Sequence, residues 1–89
     1  VEAGMSVYVD AGRRAYRGMI MSHMLADSLD ELHAMADRIG LKRAWYQGHG
    51  TPHYDLCQAK RREAIKAGAV VIDRRRTVAV IRAWRARAA

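Results

Sequence analysis

The sequence predicts a small α/β (α+β) domain, a mixed sheet of three to four strands packed by three helices, on three observations. The chain has 89 residues, enough to close one hydrophobic core and too few for two. Its N-terminal part holds two alternating or apolar runs of strand length, MSVYVD at 5–10 and MIMSHMLA at 19–26. Three later segments with helical spacing each follow a residue able to cap a helix, namely Ser28, Asp55 and Asp73. A single compact domain is therefore expected over 5–89, with residues 1–4 read as a leader or expression remnant ahead of a natural start at Met5.

MSVYVD is β-branched and alternating, which fits a strand ending on the carboxylate of Asp10. Residues 11–18 carry Arg13, Arg14 and Arg17 between Gly12 and Gly18 without periodicity, and a mobile basic loop is expected there. MIMSHMLA is expected to be a buried strand interrupted by His23. Ser28 and Glu31 stand at capping-box spacing, in which each side chain accepts from a backbone N–H at a helix start. Leu32, Met35, Ala36 and Ile39 then share one helical face, and Gly40 ends the helix. A short strand is expected at 44–47 and a flexible turn, GHGTP, at 48–52. Asp55 is expected to cap a second helix that runs to Ala67 and is stopped by Gly68. Ala69 to Ile72 reads as a short strand, and Asp73 as the cap of a C-terminal helix with Thr77, Ile81 and Trp84 at helical spacing.

Charge divides the chain. Residues 1–56 hold six Arg or Lys against seven Asp or Glu, and residues 57–89 hold ten against two, so the net charge of +7 is entirely C-terminal. A basic half of this kind is either a solvated surface or a partner for phosphates of nucleic acid, nucleotides or an acidic protein. The single Cys57 excludes an intramolecular disulfide framework and the thiol-based zinc modules, and points to the cytoplasm. No run approaches the roughly 20 apolar residues of a membrane span. No membrane partner is expected, and homo-oligomerisation is compatible with the sequence.

The segments SHMLAD, ELHAMADRIG, HYDL and AGAVVI occur in an order and spacing that resembles the family catalogued as domain of unknown function 4031, over nearly all of 5–72. The resemblance implies a short stand-alone protein of the kind found in bacteria and phages. Some of these are associated with metal-dependent phosphohydrolases of the HD class, which implies nucleotide metabolism. It marks Tyr8, Asp10, Ser22, His23, Asp27, Glu31, His33, His53, Tyr54, Asp55 and Lys60 as positions of interest. The chain is longer than the family pattern around HGTP, so the resemblance assigns His49 no role.

The residues themselves suggest a polar pocket. HYD at 53–55 would open a helix whose free N–H groups favour an anion, with His53 transferring a proton or holding a phosphate and Asp55 orienting it or capping. The alternative is that Asp55 only caps and His53 packs in the turn. Lys60 falls on the apolar stripe of that helix, and either snorkels to solvent or reaches the same pocket, with Arg61 beside it. His23, His33, His53 and Asp10 are the candidate catalytic groups, expected to converge on one cleft. Tyr8, Asp27, Tyr54, Asp55, Lys60 and Arg61 are the candidate ligand-binding groups. Imidazoles and carboxylates are numerous enough for a divalent ion, but no pair has HExxH spacing, so no metal site is assigned and no cofactor is expected.

The function expected is binding of a phosphate-bearing ligand, a nucleotide, with its hydrolysis left open. The alternative is a non-enzymatic interaction protein, phage-encoded, whose basic C-terminal half with Trp84, Arg82, Arg85 and Arg87 binds nucleic acid or a host protein.

Overall fold

The β-branched start of the chain forms the middle of the sheet, and the longest strand carries three partners. The computed structural model describes residues 6–88, so the leader over 1–4 and the start at Met5 lie outside the described residues. Strand β1 (Val7–Asp10), buried along its whole length, runs antiparallel to β3 (Met19–Ala26), with Val9 opposite Met24. Strand β2 (Arg14–Tyr16) continues along the same edge of β3, with Arg14 opposite Met21. Strand β4 (Tyr54–Cys57) covers the other edge, pairing Met24 with Tyr54 and His23 with Asp55. Strand β5 (Val70–Ile72) pairs parallel with β1 and completes a mixed sheet of five strands.

The pleat sends alternate residues to opposite faces. Val7, Val9, Met24, Ala26, Tyr54 and Leu56 meet helices α1 (Leu29–Arg38) and α2 (Gln58–Lys66), which contribute Leu32, Met35, Ala36 and Ala64 to the main core. On the other face Tyr8, Leu25 and Ile72 pack against Val80 and Trp84 of helix α3 (Arg74–Ala88). Trp84 also donates from its indole to the carbonyl of Ala26 at 2.8 Å, which pins α3 across the sheet. No helix among the described residues is long and apolar enough to cross a membrane.

Helix ends follow their sequence signals with one change. Ser28 Oγ accepts from the Glu31 N–H at 3.2 Å as expected, but the Glu31 carboxylate accepts from the Ser28 hydroxyl at 2.9 Å instead of from a backbone N–H. Gly40, at φ +81°, lets the Leu41 N–H turn back to the carbonyl of Ala36 at 2.8 Å. Asp73 caps α3 by accepting from the Arg76 N–H at 2.8 Å.

Three expectations are corrected. The basic loop at 11–18 contains β2, because Arg17 and Gly18, at φ 49° and 78°, make a two-residue turn whose twist suits a hairpin. The strand expected at 44–47 is instead a 3-10 turn at Arg43–Trp45 followed by a lone bridge, in which Gln47 and His53 exchange backbone hydrogen bonds of 3.0 Å. Arg43, Ala44 and Trp45 are all exposed, so alternation there would bury nothing. HYD does not open a helix: Tyr54 and Leu56 are fully buried while Asp55 and Cys57 are half-buried, the period of a strand, and α2 starts only at Gln58.

Candidate functional site

Between the Val9–Met24 and Arg14–Met21 pairs, residues 10–13 face only Ser22 and His23, so the ladder is interrupted and the chain bulges. The carboxylate of Asp10 fills the gap. Its Oδ1 accepts from the backbone N–H of His23 at 2.9 Å and its Oδ2 lies 2.7 Å from His23 Nδ1. Ser22 Oγ donates to the Gly12 carbonyl at 2.8 Å and holds the bulge from the other face. Burial by itself would push the Asp10 carboxyl up, but the hydrogen bonds from the His23 ring and backbone outweigh it and leave the carboxyl below its ordinary value. An ionised carboxylate only accepts, so Nδ1 of His23 carries the proton and Nε2 presents its lone pair.

His53 stands at the base of the GHGTP loop, fixed by its bridge to Gln47. Its Nδ1 lies 2.9 Å from the carbonyl of Thr51, which also only accepts, so His53 Nε2 is the free nitrogen. The rings of His23 and His53 are 5.1 Å apart at 84°. Asp55 is opposite His23 across the β3–β4 ladder and therefore on the same face. Its Oδ1 is 3.8 Å from His23 Nε2 and 3.7 Å from His53 Nε2, while its Oδ2 accepts from Gln47 Nε2 at 2.8 Å.

Arg14 reaches in from β2, with one guanidinium nitrogen 2.6 Å from His23 Nε2 and 3.3 Å from Asp55 Oδ1. Helix α3 covers Tyr8, Leu25 and Ile72 on this face but leaves the cluster open, and the side chains of His23, Asp55 and His53 keep 20–30% of their exposure. The arrangement offers two imidazole lone pairs, one carboxylate oxygen and a guanidinium around one small space. It can transfer a proton, hold an anion through Arg14 or hold a cation through the other three.

Of the candidate residues, Asp10, His23, His53 and Asp55 come together. His33 does not: it lies on the opposite face of the sheet, 2.8 Å from the Tyr54 hydroxyl and edge-on to Tyr46, so the expected convergence of three histidines reduces to two. Burial raises the Tyr54 phenol. Tyr8 donates to the Asp27 carboxylate at 3.0 Å and not to the cluster, and burial followed by that hydrogen bond raises its phenol. Lys60 neither reaches the cluster nor runs free to solvent. It donates to the carbonyl of Ile39 at 2.6 Å and so satisfies the C-terminus of α1, with Glu63 3.5 Å away. Arg61 donates to the backbone carbonyl of Asp10 at 3.2–3.3 Å and ties α2 to the end of β1. His49 is exposed on its loop.

Arg14 and Gln47 belong to the cluster and were missed in the sequence. The spacing RAY-RG-MIM, with a glycine between two short runs, is the hairpin signal that would have brought Arg14 opposite Met21. No local signal marks Gln47, whose place depends on the closure of the GHGTP loop.

A family model described as "Protein of unknown function (DUF4031)" matches residues 7–84. No curated protein and no solved structure matches the chain.

Proposed function

The chain belongs to the DUF4031 family of proteins of unknown function, and from its own side chains we propose that it binds a phosphate-bearing ligand, a nucleotide, at the open face formed by Arg14, His23, His53 and Asp55. The observation that carries this is the Asp10–His23 pair at 2.7 Å with its outer nitrogen facing the exposed guanidinium of Arg14. A carboxylate that orients an imidazole and stabilises its charged form prepares the outer nitrogen for proton transfer. A guanidinium beside it supplies the planar donors that phosphate oxygens accept. Such a site is equipped to hydrolyse what it binds. The single half-buried Cys57 suits a cytoplasmic protein.

The second reading uses the basic helix. Arg74, Arg75 and Arg82 are exposed along α3 and line an open surface with Val78 and Ala79, which suits nucleic acid. Arg87 does not serve it freely, because it donates to the Asp27 carbonyl at 2.7 Å and stacks 4.4 Å above Trp84.

Calorimetric titration of ATP and of a DNA duplex at two salt concentrations separates the readings. Arg14→Gln should weaken ATP binding by about tenfold or more, the loss of a charge-assisted hydrogen bond of about 1.5–3 kcal/mol. Arg74→Gln with Arg75→Gln and Arg82→Gln should leave ATP affinity unchanged. If Arg14→Gln binds ATP as the parent does while the helix variant loses duplex with a flattened salt slope, the pocket reading fails and the second stands.

A further inference from the structure

We infer that His23 Nε2, His53 Nε2 and Asp55 Oδ1 form a binding site for one divalent transition-metal ion of the zinc type. One ligand atom from each of the three residues lies within 4.8 Å of the other two, and Nε2 of each ring stands 3.7–3.8 Å from Asp55 Oδ1. The carboxylate-to-imidazole distances of 3.7 and 3.8 Å exceed by a few tenths of an ångström the roughly 3.3 Å between ligands of a tetrahedral ion with bonds of about 2.0–2.1 Å. The two imidazole nitrogens, at up to 4.8 Å, are the widest pair, so closing the site takes an inward turn of the half-buried rings of up to about 1.5 Å between them.

The stronger argument lies behind the three atoms. Metal-ligating histidines donate their other ring N–H to a carboxylate or backbone carbonyl, which fixes the tautomer and aims the lone pair. Both histidines do so here, His23 to Asp10 at 2.7 Å and His53 to the Thr51 carbonyl at 2.9 Å. The ligating carboxylate is oriented as well, since Gln47 holds Asp55 Oδ2 at 2.8 Å and leaves Oδ1 for the ion. A proton-transfer site needs one imidazole aimed in this way. Two imidazoles and a carboxylate, each aimed at the same point by a separate partner, suit a cation.

The point already receives a cation. The Arg14 guanidinium nitrogen lies 2.6 Å from His23 Nε2 and 3.3 Å from Asp55 Oδ1, between the groups that would ligate. Its side chain is 57% exposed on a strand with every residue exposed, so it can swing to solvent at little cost when an ion competes. Two nitrogens and one oxygen favour zinc, cobalt, nickel or ferrous iron over magnesium or calcium, which take all-oxygen shells. Three protein ligands leave at least one position open, the pattern of catalytic rather than structural zinc.

The test is metal binding by the full chain after dialysis against EDTA, independent of any nucleotide. Zinc, measured by competition with a chromophoric chelator, should bind one ion per chain, and cobalt should give visible absorption without a thiolate charge-transfer band. Asp10→Asn and Gln47→Leu should each weaken zinc by about 10–100-fold. His53→Gln and Asp55→Asn, which change half-buried chemistry with little change in volume, should weaken it further, with circular dichroism reporting that they remain folded. Arg14→Gln should bind zinc more tightly than the parent, while His49→Ala and Cys57→Ser should match it. A parent that binds no zinc, binding that survives both His53→Gln and Asp55→Asn, or a cobalt spectrum lost in Cys57→Ser would each overturn the assignment.

Discussion

Leu56→Ala is expected to lower the free energy of unfolding by about 2–5 kcal/mol, the cost of removing a fully buried leucine and leaving a cavity. Leu56 sits on β4, opposite Ser22, and packs into the core beneath α1 and α2. In a domain this small such a loss is a large share of the total stability. Its chain neighbour Cys57 projects to the opposite face and is half-buried, so Cys57→Ala should cost far less. Urea denaturation of the three proteins checks the register of β4. Equal losses in the two variants would mean that 54–57 is not a strand with Leu56 inward.

Asp10→Asn is expected to cost about 1–3 kcal/mol at neutral pH, because a single amide oxygen cannot accept from both N–H groups of His23 as the two carboxylate oxygens do. The cost should depend on pH with a definite sign. The carboxyl is held below its ordinary value in the folded chain, so its contribution is fully present above the unfolded value of about 3.9 and is lost as pH falls through the lower folded value. The stability gap between parent and variant should therefore narrow below about pH 4, as the carboxyl takes up its proton. Thermal unfolding in EDTA across that range measures it. A gap that failed to narrow between about pH 4 and about pH 2 would contradict a carboxyl held ionised by His23 in the folded chain.

What was legible in the sequence is what depends on neighbours along the chain. The alternation of MSVYVD, the Ser28 and Asp73 caps and the glycine stop at Gly40 act within a few residues, and each operates at its place. Asp55 shows where this reasoning ends. Its carboxylate is a good cap in isolation, but Tyr54 and Leu56 on either side are worth more buried in the core, and burying both forces a strand. The same pleat decides the site. Once β4 pairs with β3, Asp55 must face His23 and Tyr54 must face α1, which draws His33 to the Tyr54 hydroxyl and away from the other histidines. The four site residues that were anticipated are polar groups on or beside strands. Arg14 and Gln47 were not: Arg14 enters through the Arg17–Gly18 hairpin, whose local sign is a single glycine between two short runs, and Gln47 through closure of the GHGTP loop, which no local signal marks.

The most direct test of the site is the nuclear magnetic resonance of the histidine rings during titration with ATP in the presence of EDTA. His23 and His53 share one face and His33 lies on the other, so two rings report on the site and the third on the opposite surface. The account predicts that the His23 and His53 ring signals shift together along one saturating curve while those of His33 stay fixed, and that Arg14→Gln moves the curve to higher ATP. Signals from His23 and His53 that remain unmoved at ATP concentrations where the arginines of α3 respond would contradict it.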